Sequence, residues 1–233
     1  MNPASVLPGQ RDKQRFVREM FDRIAPRYGL VNSVMTFGLD RRWRRLAVRS
    51  LGLPVGSRVL DLASGPGEIC DVLGTWEYRA IGMDLSWGML VARGQGSGQD
   101  RVQGDAGYLP FASAAFDGIT CGFGLRNFVD PATVFAEAGR VLRPGGRLAF
   151  LEVSVPRSRV LRAGHGLYFR HLVPRIGALL SDGTAYRYLP ESVAYLPSSD
   201  EIADLLDRAG FVSVAIRQLA GGATQLVCGT RRS

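Results

Sequence analysis

Hydrophobic positions recur with two different periods along this chain. Near residues 12–24, Phe16, Met20, Phe21 and Ile24 fall at helical spacing. Ala25-Pro26 ends that run, because the proline ring disfavours helix in the residue before it. A second helical run near 41–51 carries Trp43, Leu46 and Ala47 on one side, with arginines around them; Gly52 and Pro54 close it. The first ten residues read as a loose tail.

From residue 58 the pattern shortens. Runs at 58–62, 79–83, 101–103, 118–121 and 147–153 are brief and β-rich. Helical runs at 68–73, 87–92 and 132–141 alternate with them, the last ending at Arg143-Pro144-Gly145-Gly146. Residues 94–98 form a Gly/Gln/Ser turn cluster. A helix at 199–209 stops at Gly210 and is followed by strands at 212–219 and 225–229, with a hairpin turn at Gly221-Gly222. This alternation predicts a doubly wound α/β fold: a mostly parallel sheet with helices on both faces. Residues 156–197 break it. They are rich in aromatics, proline and arginine and hold both histidines, and are read as a helical insertion that covers a site.

Composition narrows the class. Hydrophobic residues make up 46% of the 233, enough for a real core, and 21% are charged, which argues against disorder over most of the chain. The formal charge of +8 favours acidic partners such as RNA, anionic lipid surfaces or phosphorylated ligands, against the plainer reading of scattered surface arginines. Cys70, Cys121 and Cys228 form no CxxC pair, which points away from a disulfide framework or zinc site and towards a reducing compartment. No secretory signal and no apolar run near the roughly 18 residues of a spanning helix is present, so a cytoplasmic protein is expected, at most resting on a membrane surface.

The chemistry concentrates at residues 61–67, where the first β run turns into a glycine-rich loop. In this order of elements the first strand lies mid-sheet, and its carboxyl end opens at the switch point where ligands bind. Ser64-Gly65-Pro66-Gly67 allows close backbone approach but lacks the third glycine of a dinucleotide fingerprint. Asp61 and Glu68 bracket the turn, which disfavours a pyrophosphate and suits a ligand with a cationic end, such as S-adenosylmethionine. Asp84 ends the second strand, where a carboxylate accepts ribose hydroxyls. Each such bond is worth about 1.5–3 kcal/mol. Asp105 ends the third strand and is placed to accept from an adenine amino group. Taken singly, each carboxylate also reads as a helix N-cap.

VLDLASGPGE, GMDLSWGML, GDAGYLPF and RVLRPGGRL resemble the motif series of class I methyltransferases. RYGLVNSVMTFGLDRRWRR, FDGITCGFGLRNFVD and LVPRIGALLSDGTAYRYLPESV resemble, more narrowly, the ubiquinone/menaquinone biosynthesis C-methyltransferase family, from about Phe16 onward. The resemblance implies a seven-stranded sheet with an antiparallel C-terminal strand, in one methyltransferase domain over 1–233. Its parts would be a tail and helical cap (1–54), a cofactor-binding half (55–155), a substrate-covering insertion (156–197) and a C-terminal helix with hairpin strands (198–233). It implies C-methylation of a prenylated demethylquinol, with S-adenosyl-L-methionine as donor. Its cofactor positions map onto Pro66, Asp84 with Leu85, Asp105-Ala106 and Gly122. Pro66 stands where threonine is usual, Gly122 where serine is, Val227 where histidine is frequent, and Gly29 where aspartate follows the tyrosine.

A sulfonium is already a strong electrophile, so no metal is expected. The protein must orient the nucleophile and exclude water, which contributes about 7–11 kcal/mol. Ring-carbon attack also needs a neighbouring hydroxyl to lose its proton. Arg126 is the candidate to stabilise that oxyanion, against an ion pair with Asp130. Tyr28 and His171 join it as catalytic candidates, and His165, Tyr168, Tyr186 and Tyr188 are candidates to line a quinol pocket, against ordinary packing roles. Cys121 is read as a buried structural thiol. Arg41, Arg42, Arg44 and Arg45 with Trp43 read either as a solvated face or as a peripheral contact with the membrane that holds a prenylated substrate. A homodimer is allowed, and nucleic acid is not the expected partner. Two alternatives stay open: methylation of another small molecule, lipid or RNA, against which stands the missing N/D-P-P-Y/F loop after the fourth strand, and a non-catalytic cofactor-binding subunit of a quinone-synthesis complex.

Overall fold

The computed structural model describes residues 9–93, 100–156, 158, 161, 188 and 191–233. Three helices come first: α1 (Gln10–Ile24), α2 (Tyr28–Met35) and α3 (Leu39–Leu51), with a 3-10 turn at Ala25–Arg27 between the first two. The sequence pattern had no helix at α2. YGLVNSVM holds glycine, asparagine, serine and two valines, all weak helix formers. Burial of Val31 beside Met20, Ile24 and Met89 stabilises it from outside.

Then β1 (Arg58–Leu62), α4 (Glu68–Thr75), β2 (Arg79–Asp84), α5 (Trp87–Val91), β3 (Asp100–Gln103), β4 (Phe116–Gly122), α6 (Pro131–Val141), β5 (Leu142–Val153), α7 (Ser199–Arg208), β6 (Phe211–Leu219) and β7 (Thr224–Arg231) follow. The seven strands lie in the order β3-β2-β1-β4-β5-β7-β6. Strands β1 to β5 pair in parallel, and β7 runs antiparallel to both β5 and β6. The expected doubly wound sheet with its antiparallel C-terminal strand is therefore present.

Two local expectations shift. Arg143-Pro144-Gly145-Gly146 does not separate helix from strand: α6 passes directly into β5, which starts at Leu142 opposite Phe116. These four residues have no partner on β4: the register passes from Leu142 opposite Phe116 to Arg147 opposite Gly118, so they bulge from the ladder with Gly145 at φ +77°, and regular pairing starts at Arg147, where the strand was expected. The predicted hairpin turn becomes a single 3-10 turn, Ala220–Gly222.

Alternation along the strands fills both faces of the sheet. Leu60, Leu62, Leu148 and Phe150 point into one core with Phe135 and Ala138 of α6 and Ile202 and Leu206 of α7. Val59, Ala149 and Leu151 point into the other, with Ala47, Val48 and Leu51 of α3 and Ile69 and Leu73 of α4. Successive strand residues face opposite sides. Asp61 thus shares the side of Val59 and is turned towards α3 and α4.

The predicted insertion at 156–197 falls largely outside the described residues, as do the tail at 1–8, the turn cluster at 94–98, and His165, Tyr168, His171 and Tyr186. Among the described residues no helix is long and apolar enough to cross a membrane.

Candidate active site

The chain runs outward from β1 through β2 to β3, then returns to the other side of β1 as β4. This leaves a crevice at the carboxyl ends of the central strands, the usual ligand position in such sheets. A cleft of about 760 Å³, counting its part open to solvent, lies there. Gly65, Asp84, Leu85, Asp105, Ala106 and Gly122, all expected from the sequence, line it together with Tyr28.

The backbone is strained on both sides of the crevice. Ala63, just past β1, has φ +50° and Phe123, just past β4, has φ +61°. Non-glycine residues in this region cost about 1–3 kcal/mol each, and such strain gathers at functional sites. The two loops touch: a side chain on Gly124 would come within 2.7 Å of the Ala63 methyl, so only glycine lets them close.

Asp84 ties the glycine turn to the second strand. One carboxylate oxygen accepts from the Gly65 N–H and the other from the Ser86 N–H, each at 2.8 Å. The Leu85 N–H also acts on it, and since a carboxylate offers about four lone-pair sites, capacity remains for a hydroxyl donor. Burial pushes its pKa up to about 6. Asp105 accepts from the Gly107 N–H at 2.9 Å and from the Gln14 side-chain amide at 2.7 Å.

Gln14 belongs to a wall that the sequence did not reveal. Gln14, Val17, Arg18 and Phe21 of α1 all line the cleft. Farther along α1, Asp22 accepts from the Ser86 hydroxyl at 2.6 Å and the Gly88 N–H at 2.8 Å. Lys13 donates to the Phe128 carbonyl at 2.6 Å. The helical spacing of these residues was visible, but their partners lie 64 to 115 positions away.

A second, smaller hollow of about 280 Å³, again counting its part open to solvent, adjoins the cleft and shares Tyr28, Ala63, Gly65 and Gly122 with it. Asp61, Ser64, Pro66 and Glu68 line it, with Arg44. Asp61 is fully buried, accepts from the Thr120 hydroxyl at 2.7 Å, and has its pKa pushed by burial up to about 7. Burial also raises the Glu68 pKa, against the pull of Arg44. Gly67 caps α4 with φ +88° and lines neither hollow. At the neck, Tyr28 is held protonated: burial and the nearby Glu68 push its phenol up to about 12.

Several candidates are placed differently from expectation. Arg126 does not line the cleft. It is 6% exposed, with its guanidinium on Glu152, on the Phe123 carbonyl at 2.9 Å and on the Ser192 hydroxyl at 3.2 Å. Its ion-pair partner is thus Glu152 and not Asp130, which instead caps α6. Arg44 leaves the presumed surface cluster and is buried; Arg41, Arg42 and Arg45 stay exposed. Trp43 packs its ring 6.3 Å from that of Phe123. Tyr188 is buried, 5.4 Å from the Phe16 ring, and donates to the Asn127 side chain at 3.2 Å. Cys121 is buried and its thiol pKa raised, as expected of a structural cysteine. Val227 sits in the core beside β5 and does not line the cleft.

Comparisons with known proteins agree with this geometry. The ubiquinone/menaquinone biosynthesis C-methyltransferase UbiE of Syntrophotalea carbinolica is 42% identical over 221 residues, covering 92% of this chain and 93% of its own. The demethylmenaquinone methyltransferase of Roseiflexus sp. (strain RS-1) is 41% identical and covers 98% of both chains. Among solved structures, the phosphoethanolamine N-methyltransferase 2 of Haemonchus contortus, in complex with phosphomonomethylethanolamine and S-adenosylhomocysteine, superposes with a TM-score of 0.62 at 14% identity. That match takes in 82% of this chain and 53% of that longer one, and it speaks to the fold alone. The profile of one family matches residues 9–231, nearly end to end, and the chain belongs to the ubiE/COQ5 methyltransferase family.

Proposed function

We propose that this protein transfers a methyl group from S-adenosylmethionine to a ring carbon of a prenylated demethylquinol, as a step of menaquinone or ubiquinone biosynthesis. The observation that carries the reading is the cleft at the switch point, where Gly65, Asp84 and Asp105 line one wall, in a chain about 41% identical to a demethylmenaquinone methyltransferase over nearly its full length. The donor set fits the cofactor. Asp84 is assigned the ribose hydroxyls, Asp105-Ala106 the adenine, and Gly65 and Pro66 with Asp61 and Ser64 the amino-acid end, while Gly67 shapes the turn without lining the hollow. Pro66 and Gly122 have no hydroxyl to offer, so contacts at those two positions fall to backbone. The cofactor supplies an electrophilic methyl group.

The chain's own residues do the rest. Tyr28, protonated at the neck, donates a hydrogen bond to the quinol oxygen next to the reacting carbon. Arg126 is a positioning residue: it holds the loop after β4 through the Phe123 carbonyl, and its charge favours negative character at the Tyr28 oxygen. Helix α1 and residues Phe123, Gly124 and Asn127–Val129 of the loop after β4 form walls of the cleft. His171 stays a catalytic candidate from the stretch outside the described residues.

A membrane contact belongs to the same proposal. Leu30, Val34, Phe37 and Leu39 are exposed around the corner from α2 to α3, Phe37 at 76%, and Arg41, Arg42 and Arg45 are exposed on the following turns of α3. Exposed apolar residues followed in the chain by exposed arginines suit an anionic bilayer surface, where a prenylated substrate resides. The deciding experiment is titration with S-adenosylhomocysteine, followed by methyl transfer to demethylmenaquinol in detergent. Micromolar binding and a methylated ring are expected. Absence of both overturns the proposal.

A further inference from the structure

The residue pattern of α3 places Arg44 among surface arginines, yet the fold turns it inward. It is 6% exposed and forms part of the wall of the smaller hollow beneath the glycine turn. A buried guanidinium is expensive unless its surroundings use it. Arg44 is held firmly from behind: the Thr36 hydroxyl donates to Asp40 at 2.8 Å, and Asp40, one turn before Arg44, pairs with its guanidinium. Glu68 takes a second corner of the same guanidinium. Arginine carries five N–H donors, and these two carboxylates engage two of its nitrogens with one bond each.

The hollow carries both signs of charge. Asp61 and Glu68 line it as acids and Arg44 as the base, with Asp40 directly behind. An ammonium group alone would need only the acids. A zwitterion, with an ammonium and a carboxylate two bonds apart, uses both. The position of the hollow agrees: it opens into the main cleft through Tyr28, Ala63, Gly65 and Gly122, so one ligand can span the two.

We propose that Arg44 binds the α-carboxylate at the amino-acid end of the cofactor, while Asp61 and Glu68 take its ammonium group. The inference rests on the reading of the main cleft as an S-adenosylmethionine site. Asp40 and Thr36 are then positioning residues that present a rigid fork to the carboxylate. Arg44 performs a second task by linking α3 to the start of α4, so the cofactor's polar end is read by the same tie that fixes the glycine turn.

The test pairs a change in the protein with a change in the ligand. S-Adenosylhomocysteine and its decarboxylated analogue, which keeps the amine, are titrated calorimetrically into the unmodified protein and into Arg44→Met. The unmodified protein is expected to bind the analogue about 10- to 150-fold more weakly, the span of one charge-assisted hydrogen bond. Arg44→Met is expected to lose a similar factor for S-adenosylhomocysteine and to bind the analogue as the unmodified protein does. Equal weakening for both ligands would reveal a structural tie only and overturn the proposal. Should Arg44→Met fail to fold, the unmodified protein still decides: equal affinity for the two ligands refutes the assignment of Arg44 while leaving the cofactor reading intact. Binding of neither ligand removes both. Arg44→Lys, which keeps the charge without the fork, is expected to fall between.

Discussion

Removing the carboxylate of Glu152 isolates what the Arg126 tie contributes. Glu152 has no exposed surface and Arg126 is 6% exposed, so neither is compensated by solvent when the other is lost. Glu152 does three things: it pairs with the Arg126 guanidinium, accepts the Arg126 N–H at 3.1 Å and accepts the Val153 N–H at 2.8 Å. Stranding one partner of a buried pair costs about 3–5 kcal/mol. The two orphaned N–H groups do not add in full, because Val153 is only half-buried and can reach water. Glu152→Ala is therefore expected to destabilise by about 3–5 kcal/mol. At about 2–4 °C per kcal/mol for a chain of this size, Tm falls by roughly 6–20 °C. Arg126→Met combined with Glu152→Gln removes both charges and keeps one acceptor, and should recover more than half of that loss. Urea and thermal unfolding followed by near-ultraviolet circular dichroism measure both. A loss below about 1 kcal/mol in Glu152→Ala, or a double variant no more stable than the single one, would refute a structural tie at this place.

Other outcomes follow from the same geometry. Asp84→Asn keeps one backbone acceptor and should leave Tm within about 4 °C while weakening S-adenosylhomocysteine binding more than about tenfold, since one charge-assisted contact is worth that much; unchanged affinity by calorimetry removes the ribose assignment. Asp61 and Asp84 have folded-state pKa values raised to about 7 and about 6 from an ordinary 3.8, so their protonated forms favour the folded state. Their contribution to stability is complete below pH 3.8 and is lost as pH rises through 6 and 7. Cofactor affinity should move oppositely, strengthening from pH 5 to 8 as both become acceptors, and Asp61→Asn should flatten much of each profile; parallel trends would contradict the assignment. The protein should sediment with anionic vesicles at low salt, and Phe37→Ser or loss of Arg41 and Arg42 should return it to the supernatant; retention by neutral vesicles alone would count against a role for the arginines.

Much of the framework was legible from residue order. The change of hydrophobic period at residue 58 marks the start of the sheet, since a two-residue repeat buries a strand face and a 3.6-residue repeat a helix face. The carboxylates at the ends of β1, β2 and β3 could be located because a strand end is a local feature, and Asp84 and Asp105 do line the cleft. The α2 helix was not legible: its stability comes from contacts with α1 and α5 and not from its own residues.

What the sequence by itself determined was the order of elements, the parallel sheet and the crevice where its connections reverse, because these depend on short-range periodicity and on the handedness of the chain. Only the tertiary structure decided which charges meet. Arg44 and Arg126 look alike in sequence, each an arginine close to further charged or polar residues. Folding gives Arg44 to Asp40 and Glu68 at the polar hollow and Arg126 to Glu152 behind the β4 loop. It also lays α1 across the cleft, bringing Gln14 to Asp105 from 91 positions away. Such pairings depend on how faces pack across the sheet, and a local pattern shows which face a residue occupies without showing what that face will touch.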